Sequence, residues 1–266
     1  MSYHRLYRTA QLESSWKIVR ANGAAPGGDG VGLSAFEAGL GEHLLALSRA
    51  LKTESYRPGP LRNAQIPRAD GKLRLLRIPG LTDRVVQTAC HRVLSPVLDG
   101  LMRPESFGYR PKRGVIGALV HLRKSAVGMT WALDADIRRF FDEVHHARLT
   151  DDLAFWVPDA QTLRLIGHWL AGFGRGQSLA QGAPISPLLA NVALHPLDMA
   201  FAREGIPFVR YADDFVALAP TRRAAQAAQS LAAEVLARRG LALHPDKTRL
   251  VPLSQGIDFL GQHVTF

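Results

Sequence analysis

The stretch FVRYADDFVALA, residues 208–219, sets two adjacent carboxylates, Asp213 and Asp214, between two apolar runs. Aromatic and β-branched residues on both sides predict two short strands that meet at the acidic pair. Like charges at close range repel, so one of the two carboxyls should resist ionisation unless a cation lies between them. The stretch therefore raises the question of a metal site at the tip of a hairpin.

Strands and helices are predicted around this hairpin in a defined order. TWALDADI, residues 130–137, alternates and predicts a strand that carries Asp136 on its acidic face. Residues 185–204 predict a helix with Ser186 as its N-cap, and residues 221–240 predict an alanine-rich helix. Strand, helix, hairpin, helix, strand is the order of a split βαβ sheet, so we expect the first strand to lie beside the hairpin.

The N-terminal half is predicted to contain helices and one further hairpin. Residues 36–56 have apolar side chains at helical spacing, and residues 64–79 flank an Asp-Gly turn of the type found in hairpins. Residues 83–102 predict a helix that Pro96 breaks or bends. The glycine-rich loop 22–32 is not followed by Gly-Lys-Ser/Thr, which excludes a P-loop.

Composition excludes several classes of protein. The 266 residues suffice for one sizeable domain or two small ones, and 47% hydrophobic with 21% charged residues is ordinary for a globular protein. No apolar run reaches membrane-spanning length, and the N-terminus lacks the apolar core of a secretory signal. Cys90 is the single cysteine, which excludes an intrachain disulfide and argues against a cysteine zinc site. We expect a cytoplasmic protein without a membrane partner.

Basic charge is concentrated in one quarter of the chain. Residues 52–113 contain 13 Lys and Arg against 5 Asp and Glu, which is +8 of the net +10. A concentrated basic region suits a polyanion such as nucleic acid or nucleotide phosphates. An arginine-rich solvated surface is an equally good explanation of the charge by itself.

Three aspartates from distant parts of the sequence are expected at one point of the predicted sheet. Asp136, Asp213 and Asp214 span 77 residues, and pairing of the two strand ends would bring them together. Three carboxylates at one point require a hard divalent cation, and Mg²⁺ prefers oxygen ligands. Two such ions can align an attacking hydroxyl with a leaving pyrophosphate, as in polymerases. We therefore expect two Mg²⁺ ions, with Mn²⁺ as the alternative.

Eight segments resemble, in the right order, the motifs of reverse transcriptases, especially those of bacterial group II introns. The segments are APGGDG (25–30), IPRADGKLRLLRIPGLTDRVVQ (66–87), SFGYRPKRG (106–114), LDADIRRFFDEV (133–144), QGAPISPLLANVALHPLD (181–198), RYADDF (210–215), HPDKTRL (244–250) and DFLGQHV (258–264). The resemblance implies an α+β right-hand polymerase fold with a split βαβ palm, an antiparallel sheet and helical and hairpin fingers. It implies a single reverse transcriptase domain, with an N-terminal extension and fingers in residues 1–129 and a palm in residues 130–266. A helical segment, residues 145–180, would pack between palm and fingers.

The same resemblance implies the catalytic residues. Asp136, Asp213 and Asp214 match the three acidic metal ligands. The backbone carbonyl of Ile137 would assist Asp136, and Ile137 counts among the nucleotide-binding residues. Lys247 matches a lysine that could protonate the leaving pyrophosphate, although an ordinary surface lysine is about equally expected. Asp134 shares the acidic face of the first strand and could be confused with Asp136, and we choose Asp136 because it precedes Phe141 by five residues.

Nucleotide and nucleic-acid contacts follow from the resemblance too. Phe141 matches the bulky ring that leaves no space for a ribose 2′-hydroxyl, whereas we assign the neighbouring Phe140 to the core. Gln181 and Gly182 match the nucleotide pocket. The hairpin side chains that would bind the triphosphate are Arg68, Lys72 and Arg74. General phosphate contacts are expected from Arg110, Lys112 and Arg113.

The function implied is RNA-directed DNA synthesis, a nucleotidyl transfer from deoxynucleotides to a DNA or RNA primer on an RNA template. A host process such as RNA-derived CRISPR spacer acquisition, and thus antiviral defence, is one setting. The alternatives are a non-catalytic RNA-binding relic of an intron-encoded protein and an RNA-directed RNA polymerase, which Phe141 disfavours.

Two departures from the motif pattern stand out. Leu75-Leu76-Arg77 occupies the place where Pro-Leu-Gly is usual in the fingers motif. The chain ends at Phe266, just after the primer-grip motif, so we expect no thumb, maturase or endonuclease region here. The expectation that follows is a protein partner, or a second copy, in place of the thumb.

Overall fold

The computed structural model describes residues 3–23, 25–67 and 73–266. Within these residues the chain forms ten α-helices, α1 Thr9–Ala21, α2 Leu33–Ala38, α3 Leu40–Lys52, α4 Leu81–Leu101, α5 Val115–Ser125, α6 Phe140–Glu143, α7 His146–Trp156, α8 Ala160–Phe173, α9 Ser186–Arg203 and α10 Arg222–Arg238. The same residues form eight strands, β1 Arg62–Pro67, β2 Leu73–Ile78, β3 Trp131–Asp136, β4 Phe208–Tyr211, β5 Asp214–Ala219, β6 Arg249–Pro252, β7 Ile257–Phe259 and β8 Gln262–Val264. No helix in the described ranges is long and apolar enough to cross a membrane.

The chain divides into two compact units. The first comprises the described residues of Met1–Leu98 together with His145–Leu189, and the second comprises Asp99–Val144 together with Ala190–Phe266. The predicted helical segment 145–180 thus belongs to the first unit, and residues 99–129 belong to the second. The division into fingers and palm remains a prediction.

In its described residues, the first unit is helical apart from the β1–β2 hairpin. Strands β1 and β2 pair antiparallel from Arg62 opposite Ile78 to Pro67 opposite Leu73, as the sequence predicts. A buried hydrogen-bond network supports the helices, because the Trp169 Nε1–H donates to the Tyr56 hydroxyl and that hydroxyl donates to Asp83 Oδ1. Burial raises the pKa of the Asp83 carboxyl, and the hydrogen bond from Tyr56 partly opposes this shift.

The second unit contains the predicted split βαβ sheet. Its strand order is β4-β5-β3-β6, and all three pairings are antiparallel. Helix α9 leads into the β4–β5 hairpin and α10 leads into β6, which is the predicted order of elements. The ring of Phe201 from α9 lies 5.3 Å from that of Phe208 and 5.7 Å from that of Phe215, between centroids. Burying each such ring contributes about 1.5–3 kcal/mol, and the packing holds the hairpin against α9.

The opposite face of this sheet has its own apolar core. Alternation along the strands puts Ala132, Val209 and Val216 on one side. They pack there with residues of α5 and of the β7–β8 hairpin, including Leu122 and Phe259. Both faces of the sheet are therefore covered, and only the strand ends remain available for a site.

Three local expectations are wrong. The helix predicted over residues 36–56 is interrupted at Gly39, which ends α2 and begins α3. At Pro96 the break is wrong, because α4 continues through it with Leu94 and Leu98 fully buried on either side, and the bend stays a prediction. Helix α9 begins at Ser186, but the Ser186 hydroxyl has no hydrogen-bond partner among the described residues and does not cap the helix.

Candidate active site

The acidic pair lies where β4 turns into β5. Strand β4 ends at Tyr211, which is opposite Asp214, the first residue of β5. Asp214 is also opposite Asp136, the last residue of β3, and the Ile137 N–H donates to the Asp213 carbonyl over 3.3 Å. The predicted pairing of the two strand ends is thereby confirmed, and it brings the three aspartates to one edge of the sheet.

Crowding of carboxylates at this edge changes the acidity of Asp214. Its pKa is raised from 3.8 to about 7, first by burial and then by the negative charges of Asp134, Asp136 and Asp213. The ammonium of Lys247 opposes this rise only in part. One carboxyl of the group therefore resists ionisation in the absence of a further cation, as the adjacent charges in the sequence predict.

Lys247 is part of the acidic cluster. Its Nζ lies 2.8 Å from Asp136 Oδ2, and the His244 N–H donates to the Asp136 carbonyl over 2.7 Å. The loop before β6 is thus held to the end of β3 by one side-chain and one backbone contact. This placement supports a functional lysine over an ordinary surface lysine, although its role in proton transfer remains a prediction.

Asp134 is close enough to raise the pKa of Asp214, but it has its own partner within the sheet. It lies opposite Val216 on one side and Arg249 on the other, and its Oδ2 accepts a hydrogen bond from Arg249 Nη2 over 2.9 Å. Burial raises the pKa of the Asp134 carboxyl, and Arg249 opposes this. Asp134 and Asp136 thus each have a cationic partner, and they differ in register, since Asp136 lies opposite Asp214 at the strand end whereas Asp134 lies opposite Val216. The choice of Asp136 as the ligand stays a prediction.

The fit to a divalent cation rests on these carboxylates. In the described ranges, no group of three or more His, Cys, Asp or Glu side chains is arranged so that it could hold a metal ion as it stands. Lys247 already contacts Asp136 Oδ2, the oxygen atom that a bound ion would share. The donors are nevertheless all carboxylate oxygens, which a hard cation prefers, and the raised pKa of Asp214 marks negative charge that Lys247 does not balance. The residues thus fit a divalent ion held by Asp136, Asp213 and Asp214.

Phe141, the ring that is predicted to exclude the ribose 2′-hydroxyl and thus to act as a steric gate, follows Asp136 on the short helix α6. Phe140 is fully buried, as expected for a core residue, while Phe141 is half-buried. Their rings meet edge to face with centroids 5.6 Å apart and an angle of 84° between the ring planes. Phe140 thus anchors α6 and orients the ring of Phe141, and Ile137 is buried next to Asp136. The gate function of Phe141 stays a prediction.

An arginine that sequence reasoning missed supports the turn from inside. The Arg210 side chain is completely buried and makes a bidentate ion pair with Asp198 of α9, at 2.6 Å for both N–O pairs. Its Nη1 donates to Asn191 Oδ1 and to the Ala212 carbonyl, each at 3.0 Å, and its Nη2 donates to Ser106 Oγ. The guanidinium therefore joins helix α9 directly to the turn that carries Asp213.

The turn itself is strained. Ala212 has a φ of 59°, in the left-handed region that non-glycine residues rarely occupy. A Cβ on Gly108 would lie 2.4 Å from the Ala212 nitrogen, so only glycine allows the two segments to meet. The Asn191 Nδ2–H donates to the Gly108 carbonyl over 2.8 Å and fixes this approach. Strain of this kind persists only where the surroundings enforce it, and it is concentrated at functional sites.

The three basic residues expected at phosphates have different surroundings. Arg110 is buried, and its donors are directed to Asp99 and to nearby backbone carbonyls, so we assign it to the fold and not to a phosphate contact. The Arg113 guanidinium lies 5.1 Å from the centre of the Phe107 ring and donates to a backbone carbonyl. Lys112 is exposed, with a φ of 60°. Arg113 and Lys112 remain predicted phosphate contacts.

The other predicted nucleotide residues belong to the first unit. Gln181 and Gly182 form a turn after α8, and the Gln181 carbonyl accepts a hydrogen bond from the Arg77 N–H over 2.8 Å. Arg74 is exposed on β2. Arg68 and Lys72 lie outside the described residues.

The sequence contains a partial signal for the hydrogen-bond network of Arg210. Arg210 is a charge inside an apolar strand, and Asn191 and Asp198 lie seven residues apart on an apolar helix. Spacing of seven puts two residues on one face of a helix. No pattern in the sequence, however, pairs that face with Arg210, because the pairing depends on how α9 packs on the sheet.

Known proteins resemble this chain in sequence. Residues 66–264 match the family described as "Reverse transcriptase (RNA-dependent DNA polymerase)". Protein YkfC of Escherichia coli K12 is 31% identical over 90% of this chain and 75% of its own length. The group II intron-encoded protein LtrA of Lactococcus lactis is 31% identical over 59% of this chain, and the match spans only 28% of LtrA.

Two solved structures resemble the fold. Telomerase from Candida albicans matches with a TM-score of 0.62 at 13% identity, over 80% of this chain and 46% of the telomerase chain. A partial Cas6-RT-Cas1–Cas2 complex matches with a TM-score of 0.52 at 24% identity, over 88% of this chain and 40% of the matched chain. The chain thus spans less than half of each structure, and these likenesses support the α+β fold of a right-hand polymerase. With three quarters of the chain matched by the family and the motif aspartates at one sheet edge, the chain belongs to the reverse transcriptase (RNA-dependent DNA polymerase) family.

Proposed function

We propose that this chain is an RNA-directed DNA polymerase that adds deoxynucleotides to a primer on an RNA template with the help of Mg²⁺. The observation that carries the proposal is the register that sets Asp136 opposite Asp214, next to the strained turn at Ala212. A fold that needed only stability would gain nothing from placing like charges in register. Family membership makes nucleotidyl transfer the reaction that uses such a cluster.

The chain's own residues have distinct tasks in this reaction. Asp136, Asp213 and Asp214 would hold the ions, which when bound align the attacking hydroxyl and the leaving pyrophosphate. The ion pair of Arg210 keeps the turn in place so that the carboxylates do not have to reorganise when substrate arrives. Lys247 is within reach of the cluster and supplies a proton donor for the pyrophosphate. Phe141 excludes the ribose 2′-hydroxyl by its bulk.

The substrates that we propose are an RNA template, a DNA or RNA primer and deoxynucleotides. Exposed Lys112 and Arg74 supply positive charge for phosphates, which determines affinity without reading sequence. We place the reaction in the cytoplasm.

A protein partner is a further part of the proposal. One structure with this fold is titled as a Cas6-RT-Cas1–Cas2 complex, and we propose that this chain too acts within an assembly, with CRISPR spacer acquisition as one setting. Co-purification of the tagged chain with the Cas1 and Cas2 proteins of its own host tests this setting. Recovery of the chain without them would contradict it.

Primer extension on an RNA template tests the polymerase. We expect Mg²⁺-dependent extension by the wild type, and a loss of several orders of magnitude in Asp136→Asn and in Asp213→Asn, because each change removes a charge but hardly changes volume. Asp246→Asn is the matched control, since Asp246 is an exposed carboxylate on a neighbouring loop. Circular dichroism establishes that each variant is folded. Extension at wild-type rates by either variant would refute the site, and RNA binding without extension by the wild type would favour a non-catalytic RNA-binding protein.

A further inference from the structure

The loop that joins α8 to α9 has an unusual backbone. Ser178 has a φ of 99°, and Gly182 has a φ of 115°, so both residues lie in the left-handed half of backbone space. Glycine adopts such angles without penalty, whereas serine does not. A buried serine in this conformation requires contacts that enforce it, and the loop ends in the Gln181–Gly182 turn.

Those contacts come chiefly from Arg77 of β2. Its Nη1 donates to Ser178 Oγ over 2.7 Å and also to the Phe173 carbonyl at the end of α8. Its backbone N–H donates to the Gln181 carbonyl over 2.8 Å. His146 adds a second clamp, with its Nε2–H donating to the Ser178 carbonyl over 2.7 Å. One arginine thus holds the loop at its start, its strained centre and its final turn.

The Gln181–Gly182 turn packs closely against the backbone of β2. A Cβ on Gly182 would lie 3.2 Å from the Arg77 carbonyl, a contact tighter than side chains usually tolerate. The turn therefore rests on the backbone of β2 at the same residue whose side chain holds Ser178. A shift of Arg77 would be transmitted to Gln181 through the backbone hydrogen bond.

The two arginines of β2 divide between two tasks. Arg74 and Arg77 are three residues apart on a strand, so their side chains point to opposite faces of the hairpin. The Arg77 side chain contacts the loop, whereas the Arg74 side chain is exposed and makes no hydrogen bond or ion pair with the described part of the chain. Strand β2 thereby connects an exposed arginine to the Gln181–Gly182 turn.

We propose that Arg77 is a positioning residue for the incoming deoxynucleotide, which ties β2 to the Gln181–Gly182 turn and sets the distance between the two nucleotide-binding elements. The proposal rests on the proposed function, since it assumes that these elements bind the nucleotide. Arg77 itself acts through Ser178 and Gln181 and does not touch the substrate.

Steady-state primer extension separates this role from a general effect on folding. We expect Arg77→Ala to raise KM for the deoxynucleotide about tenfold, with the apparent Kd for primer–template unchanged, because loosened geometry at the pocket weakens substrate positioning. Arg77→Lys should restore part of the loss, since it keeps one donor for Ser178 Oγ. Arg175→Ala is the matched control, as Arg175 is exposed in the same loop and has no ion-pair or hydrogen-bond partner in the described residues. It should leave KM unchanged.

The remaining outcomes decide the proposal as well. A purely structural role for Arg77 would lower the fraction of active enzyme at unchanged KM, which active-site titration would reveal and which would overturn the inference. If Arg77→Ala does not fold, Ser178→Ala, which removes the same side-chain contact, must raise KM, and an unchanged KM there would likewise overturn it. If the wild type is inactive, the proposed function is refuted, and this inference with it. If the wild type is active and the variants have its KM, only this inference is refuted.

Discussion

Replacing Asp214 by asparagine should make the protein more stable while it abolishes polymerisation. Asparagine keeps the shape of the side chain but cannot ionise. In the absence of divalent metal, the Asp214 carboxylate is buried among the charges of Asp134, Asp136 and Asp213, which is why its pKa is raised to about 7. Asp214→Asn removes this repulsion. Asp214 would thus be required for polymerisation although it lowers the stability of the metal-free fold.

The expected gain follows from the pKa. An exposed aspartate titrates at 3.8, Asp214 at about 7, and one pKa unit corresponds to about 1.4 kcal/mol, so the ionised carboxylate destabilises the metal-free fold by up to about 4 kcal/mol. Asp214 is partly accessible to solvent, which screens some of this energy. We therefore expect a gain of about 2 kcal/mol or more, which corresponds to a rise in Tm of roughly 4–8 °C for a chain of this size.

The gain should depend on pH. Between pH 3.8 and about 7 the folded wild type retains a proton that the unfolded chain has released, so wild-type stability falls as pH rises through this window. The variant lacks this titration. The difference between variant and wild type should thus be small below pH 3.8, reach roughly a third of its full size at pH 5 and level off above pH 7.

Thermal unfolding in EDTA at pH 5 and pH 8 measures this difference. Asp246→Asn, which removes an exposed carboxylate, should change the free energy of unfolding by no more than about 0.5 kcal/mol. Added Mg²⁺ should stabilise the wild type and not Asp214→Asn. The electrostatic reasoning would be refuted if Asp214→Asn were less stable than the wild type at pH 8 in EDTA. It would also be refuted if the gain in stability were the same at pH 5 and pH 8.

Three further changes test other parts of the site. Phe141→Ala should relax selection against ribonucleotides, because the exclusion is by bulk; unchanged discrimination in incorporation assays on one RNA template would show that Phe141 is not the gate. Asp198→Asn leaves the buried guanidinium of Arg210 without its counter-charge and should lower the free energy of unfolding in urea by about 3–5 kcal/mol, and a loss below about 1 kcal/mol would contradict the network. Lys247→Ala should lower kcat by about 10²–10⁴ with part of the rate restored in Lys247→Arg, whereas unchanged single-turnover rates would make Lys247 a surface residue.

Local patterns in the sequence were sufficient for the elements of the split βαβ sheet and for their order. Alternation in residues 130–137 and the acidic pair between apolar runs predicted β3 and the β4–β5 hairpin, because burial of one face enforces a period of two in any strand. The order of elements then predicted the split βαβ sheet. Errors arose at Gly39, where the low helix propensity of glycine interrupts the predicted helix, and at Pro96 and Ser186, where tertiary packing outweighs the preference of a single residue.

By itself, then, the sequence determined that acidic residues would meet at the ends of β3 and the β4–β5 hairpin, since strand period and element order depend on local residue types. Only the tertiary structure decided how they are held. The ion pair of Arg210 with Asp198, the close approach of Gly108 to Ala212 and the clamp of Arg77 on Ser178 join segments that are 12 to 104 residues apart. Such contacts leave no local pattern, because they depend on which faces pack together in three dimensions.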